Sequence, residues 1–339
     1  MNINNFEGVD WRKIIKRYQP EAGRSIWQLV NTVVPYLGLY ALMFWLLNAG
    51  VSYWLVLLLA IPTAGFMVRT FIIFHDCGHG SFFKSRKANL AVGILTGILT
   101  FTPWHLWWHE HNVHHANAGN LDKRGIGDVD TWTVEEYLAA PFWKKLAYRV
   151  MRQPLVMFSI GAVVVFAVIK RVPLPSHSKK EKASVWWTNV ALAAIIAVLI
   201  MLVGWKTYLL VQLPVLLLGT SAGVWMFYVQ HNYDGVYWER EENWDFYKAA
   251  LNGSSYYELP VILQWFTGNI GYHHIHHLGS RIPNYKLQEC FEENPLFHVE
   301  PINIWSSLKT LRLRLWDEAN QKMVGWEALK RYRNKSETA

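Results

Sequence analysis

Cysteine is nearly absent: Cys77 and Cys290 are the only two in 339 residues. That excludes a disulfide framework, a four-thiolate zinc site and an iron–sulfur cluster, and Cys77 reads as a small packing residue. Charge is scarce too, at 17 % of residues, and long stretches carry none. No tract of Lys and Arg interleaves with aromatics and the formal charge of +8 is modest, so no nucleic-acid partner is expected. The chain has no dinucleotide motif, no haem module, no internal repeat and no low-complexity stretch. The first apolar run is too long for the core of a cleavable signal, so no signal peptide is expected either.

What is abundant is apolar surface. Hydrophobic residues make up 52 % of the chain and 19 are Trp. Length alone suggests two soluble domains, but this composition is that of an integral membrane protein. Four runs reach the roughly 20 residues needed to cross a bilayer: Ile26 to Asn48, Val51 to Phe74, Val185 to Val203 and Thr207 to Val229. Ala88 to Trp104 and Pro154 to Ile169 are shorter. Trp27, Trp45, Trp54, Trp186, Trp187 and Trp205 fall near span ends, where indole rings anchor at the headgroups.

Nine of the 14 histidines form one pattern: His75 and His79; His111, His114 and His115; a lone His231; and His273, His276 and His277. Residues three and four apart share a helix face, so each group can aim its imidazoles at one point. Imidazole alone does not choose among iron, copper, zinc and nickel. Nine ligands exceed one tetrahedral site and would fill two ions, so two metals are expected. Spacing gives no support to His231, a singleton. Asp76, Glu110, Asp122, Asp128, Asp130 and Asn269 are candidates to hold the second ring nitrogen of a ligand. His105 and His109 form a rival pair pointing away from His111–His115, His274 is rotated about 100° from His273, and His177 and His298 lie in loops.

Sharing ions constrains the topology. Were Ala88–Trp104 to cross the membrane, the first two groups would lie about 30 Å apart. That stretch and Pro154–Ile169 are therefore expected to be re-entrant or interfacial. This leaves four spanning helices in two hairpins with short turns near Ala49 and Gly204. The hydrophilic mass on the other side carries Lys84, Arg86, Lys87, Lys144, Lys145, Arg149, Lys170, Arg171, Lys179, Lys180 and Lys182, so the positive-inside rule makes it cytoplasmic, together with both termini and the site. Arg69, near a cytoplasmic end, is expected to snorkel. After His277, the stripe Trp305, Leu308, Leu311, Leu315 and Trp316 reads as a helical cap. The expected organisation is a cytoplasmic segment 1–24, a membrane domain 25–295 and a cytoplasmic helical segment 296–339.

His75–Asp76–Cys77–Gly78–His79, His111–Asn112–Val113–His114–His115 and His273–His274–Ile275–His276–His277 resemble the three histidine boxes of the membrane fatty acid desaturases. The likeness continues through Gly80–Lys84, Ala116–Gly125, Gly127–Asp128, Thr133–Tyr137 and Gly268–Tyr272, resembling the bacterial acyl-lipid branch, and it runs from about Trp27 to Pro295. The resemblance implies an all-α membrane fold. It implies two non-haem irons held by His75, His79, His111, His114, His115, His273, His276 and His277, with His231 as a ninth ligand. In the acyl-CoA desaturases an Asn four residues before the ninth histidine holds a water beside one iron. Here that position is Phe227, and Asn269 is the candidate replacement.

The implied reaction is O2-dependent removal of two hydrogens from a saturated or monounsaturated acyl chain, lipid-linked by the branch resembled, leaving a cis double bond in a bacterial cell membrane. Methylene C–H bonds without a nearby carbonyl are beyond acid/base groups, so activated oxygen is required. Electrons must enter from outside, from ferredoxin or a similar small acidic carrier, which a basic cytoplasmic face would attract. The same histidines occur in relatives that hydroxylate alkanes or oxidise carotenoid rings. Those add oxygen where a desaturase removes hydrogen. A transporter or sensor of metal ions is a second class, but transport would need ionisable groups deep in the spans, where almost none occur beyond Arg69; a haem-binding electron-transfer subunit would carry its axial histidines singly within spans rather than bunched at their ends.

Overall fold

Helices follow the apolar runs and then overshoot them. The computed structural model describes residues 10–337. Residues 1–9 of the expected segment 1–24, and the last two of the segment 296–339, lie outside the described residues. A short α1 (Trp11–Ile15), capped by the Asp10 carboxylate, precedes α2 (Ala22–Asn48) and α3 (Tyr53–His79). The latter two have 27 residues each, or about 40 Å of helix. α3 outruns its apolar stretch by the turn that carries His75 and His79, and Gly80, at φ +67°, ends it in the left-handed conformation.

α4 (Arg86–Leu99) and α5 (Trp104–Asn117) meet at a bend of 102°. Pro103 disfavours helix at the residue before it, and Phe101 takes φ +57° in the break. α5 thereby returns the chain to the end of α3, where the His115 and His79 rings lie 4.6 Å apart. β1 (Trp132–Thr133) leads into α6 (Val134–Ala139), opened by a Thr133–Glu136 capping box. α7 (Phe142–Met151) then bends by 66° into a π-helical turn, Val156–Ile160, continued by α8 (Gly161–Ala167).

α9 (Lys179–Val203) and α10 (Trp205–His231) join at Gly204, at φ +82°. α2, α3, α9 and α10 are individually long and apolar enough to cross a membrane. All six tryptophans expected at span ends are exposed. α10 packs along α3 over a core of Tyr36, Met43, Val56, Met67, Val211 and Val215. The close approach needs Gly219, where a Cβ would lie 2.7 Å from the Met67 sulfur.

The remaining elements are α11 (Phe246–Asn252), β2 (Tyr256–Tyr257), α12 (Val261–Phe266), α13 (His273–Leu278), α14 (Leu287–Glu293), β3 (Pro301–Ile302), α15 (Ile304–Ser307), β4 (Leu315–Asp317), β5 (Lys322–Val324) and α16 (Ala328–Glu337). β2 pairs with β3 in parallel, and β4 lies between β1, parallel, and β5, antiparallel. The protein is all-α apart from these short strands.

The C-terminal segment departs from the helical cap expected. Helix α15 stops at Ser307, a 3-10 turn spans Leu308–Arg312, and Leu315 and Trp316 lie in β4. Leu315 and Trp316 are buried by strand pairing, whereas Trp305 is 80 % exposed. Five apolar residues at approximately helical spacing therefore belong to different environments. The pairing of Leu315 with Trp132, far off in sequence, leaves no mark on local periodicity.

Candidate metal centre

Four elements end at one place. The C-terminal turns of α3, α5 and α10 bring His75 and His79, the second box, and His231 against α13, which carries the third box. The nine imidazoles sort into two groups, His75, His79, His111, His115 and His276, and His114, His231, His273 and His277; within each group the candidate ligand nitrogens lie within 4.8 Å of one another.

The sorting cuts across the boxes, and helix geometry explains it. Residues four apart are rotated by about 40°, so His111 and His115 on α5, and His273 and His277 on α13, each turn toward one centre. The third member of each box is rotated about 60° the other way, so His114 joins the α13 pair and His276 joins the α5 pair. The second and third boxes thus each serve both centres, while the first serves one. The expectation that each group aims at a single point holds only for His75 and His79.

Hydrogen bonds on the far ring nitrogens set the orientation. Nδ1 of His231 lies 3.0 Å from the Gly253 carbonyl, which can only accept, so Nδ1 carries the proton and Nε2 presents its lone pair. Nδ1 of His114 bonds the Asp128 carboxylate, and Nδ1 of His75 lies 3.2 Å from Asp76 Oδ1. The presented nitrogens then face one another: His114 and His231 Nε2 at 3.1 Å, His231 and His273 at 2.9 Å, His276 and His115 at 3.0 Å. For the His114–His231 pair, whose protons are held at Nδ1, two lone pairs meet, an arrangement that a cation between them relieves. Nε2 of His79 is buried with no hydrogen-bond partner among the described residues. Two histidine-rich clusters of this kind fit a di-iron centre.

Electrostatics agree. Burial pushes His111, His115, His273, His276 and His277 well below the ordinary imidazole value, and neighbouring imidazoles push the same way. These rings are neutral near pH 7, the form that binds a metal.

Of the expected orienting residues, Asp76 and Asp128 are in place. Glu110 instead pairs with Lys170, Asp122 with Arg240, and Asp130 bonds the Trp132 indole at 3.0 Å. Asn269 does not face the clusters: its Oδ1 accepts from Gln264 at 3.0 Å and its Nδ2 donates to the Asn284 carbonyl at 3.3 Å. Phe227 packs 5.2 Å from both the His114 and His231 rings, closing that wall with carbon.

His105, His109, His177 and His298 stay outside both groups. His274 is turned away and donates to the Phe297 carbonyl at 2.9 Å, and burial pushes its ring down to about 4. Sequence reasoning missed the Gly253 carbonyl and Trp107, which stacks 4.3 Å from His111. Neither residue type signals such a role. A cleft of about 1530 Å³ lies by the C-terminal hairpin beside Ser254 and Ser255 and is lined by none of the nine histidines.

The family model for fatty acid desaturases matches residues 52–301. The chain is 48 % identical over 313 residues to a fatty acid desaturase of Bacillus subtilis (strain 168), covering 92 % of this chain and 88 % of the relative. It is 29 % identical to an sn-1 acyl-lipid omega-3 desaturase (ferredoxin) of Synechocystis, over 81 % of this chain and 76 % of the relative. An sn-1 oleoyl-lipid 12-desaturase of Anabaena variabilis is 27 % identical, over 91 % and 88 %.

Proposed function

The chain belongs to the fatty acid desaturase family, and from that premise we propose that it introduces a cis double bond into a saturated or monounsaturated acyl chain of a membrane lipid. His75, His79, His111, His115 and His276 hold one iron, and His114, His231, His273 and His277 the other. The iron pair supplies the activation of O2 that an unactivated methylene C–H bond demands. The observation that carries this reading is the convergence of nine imidazoles into two adjoining groups.

The chain's own residues orient and exclude. Asp76, Asp128 and the Gly253 carbonyl hold three rings in the tautomer whose Nε2 faces inward. Phe227 and Trp107, the latter backed by Phe74, face the histidines with carbon, which keeps bulk water from the centre.

Four spans with the centre at their cytoplasmic ends is the topology proposed. It is supported by the two bent helix pairs, since α4–α5 leaves from and returns to the same cluster, and by the lysines and arginines on that side. Ferredoxin or a comparable acidic carrier is the proposed electron source. The printed name of the Synechocystis relative and the basic charge of this chain both support it.

Expression in a host lacking unsaturated fatty acids tests the reading. New double bonds in the host's lipids, together with about two irons per purified chain, are expected. Oxygen added to the acyl chain would assign a hydroxylase instead, and no product from protein carrying both irons would overturn the proposal.

A further inference from the structure

Arg69 does not extend freely to the interface as its position suggests; it is 7 % exposed. Nε donates to Thr32 Oγ1 on α2 at 3.0 Å, Nη1 donates to the Trp265 carbonyl at the end of α12, and the guanidinium sits 3.9 Å from the Trp265 ring centre. Arg24, Arg124 and Arg240 find carboxylates, but Arg69 finds none among the described residues. Its Nη2 takes no hydrogen bond among them either. Unlike the unpartnered nitrogens of Arg152, it is not sealed from outside. A guanidinium shielded from water without a counter-charge is costly, so an anionic partner has a strong reason to sit there.

Position names the partner. Counting about 20 residues of hydrocarbon from Tyr53 ends near Ile72, so Arg69 lies within one turn of the membrane edge, where lipid phosphates are in reach. Beside it, α12 turns Val261 and Ile262 outward at 82 % and 71 % exposure, while Phe266 is pressed against Gly65 of α3. Such a short apolar helix with its outer face uncovered suits the acyl boundary of a bilayer. Six residues further along α3 stands His75, about 9 Å away along the axis.

We propose that Arg69, backed by Thr32 and Trp265, binds the phosphate of a glycerophospholipid at the membrane edge, within about two helical turns of His75 along α3. This rests on the membrane topology proposed above. The same phosphate chemistry could be met by free phosphate, and the experiment separates the two.

The full iron-loaded chain in neutral detergent is given saturated phosphatidylglycerol, diacylglycerol of the same chains, or inorganic phosphate, and bound lipid is counted by native mass spectrometry alongside thermal unfolding. Wild type is expected to retain phosphatidylglycerol with a saturable rise in Tm, and to show neither effect with diacylglycerol or phosphate. Arg69→Gln should weaken retention about tenfold or more and Arg69→Lys less, since the ammonium keeps charge but loses the fork. Exposed Arg312→Gln should leave it unchanged. Equal retention of diacylglycerol by wild type overturns the proposal whether or not any variant folds. So does competition by phosphate at the lipid's own concentration, or undiminished retention in Arg69→Gln. No turnover is read, so failure here leaves the desaturase reading standing, and a missing double bond in the expression test would not mimic it.

Discussion

Asp76 holds Asn284 twice: one carboxylate oxygen accepts from the Asn284 backbone N–H at 2.7 Å and from its side-chain Nδ2 at 2.8 Å. The other oxygen faces His75 Nδ1. One carboxylate thus ties the first histidine box to the chain just after the third. Asp76→Ala should weaken iron binding by about 10–100-fold, the usual cost of losing an orienting carboxylate. Iron retained after graded chelator dialysis measures this, and wild-type retention would show that the tie is dispensable.

Asp128 serves the other centre through His114. Asp128→Ala is expected to empty one centre before the other, giving a plateau near about one iron per chain during the same dialysis. Simultaneous loss of both irons would show that the centres are not held independently.

His276→Ala should abolish product, because it removes the only ligand that α13 contributes to the first group. His177→Ala should not, since among the described residues that ring accepts a hydrogen bond only from the backbone N–H of Leu174, at 3.1 Å. An active His276→Ala enzyme would remove that residue from the centre.

His274 gives a pH signature. Its folded value, about 4, lies below the ordinary 6.5, so on acidification the unfolded chain takes up the proton first. Stability from this group is complete above pH 6.5 and is lost as pH falls toward 4, by on the order of 3 kcal/mol in full. Denaturation in detergent across that range should be flatter for His274→Gln than for wild type. Parallel curves would count against the assignment.

Gly97 lies where α4 bends back toward α5. A Cβ there would meet the Thr102 carbonyl at 2.7 Å, and Thr102 N–H also donates to the Gly97 carbonyl at 2.7 Å. Gly97→Ala should cost about 1–3 kcal/mol by overpacking. Gly38→Ala, with nothing within 4 Å, should be neutral or slightly stabilising by helix propensity. Thermal unfolding of both variants checks the contrast.

The long helices were legible because a bilayer demands uninterrupted apolar runs, and the four expected runs all lie within α2, α3, α9 and α10, apart from two turn residues before α3. Eight of the histidines were legible because ring chemistry and spacing are written locally, whereas His231, a singleton, entered only through the family resemblance. Asn269 misled because its side chain is committed to Gln264 and Asn284, partners that no spacing rule connects to it. The C-terminal stripe misled because strand pairing with Trp132 acts across a long sequence separation.

By itself the sequence determined that the chain is made for lipid and that its imidazoles are grouped at metal-ligand spacing. Only the tertiary structure decided how they divide: His114 crosses to the centre of His273 and His277, and His276 to that of His111 and His115. The reason is rotational. A helix fixes the angles between its own side chains, but which neighbour each one meets depends on how α5 and α13 are set against each other, and that is a property of packing.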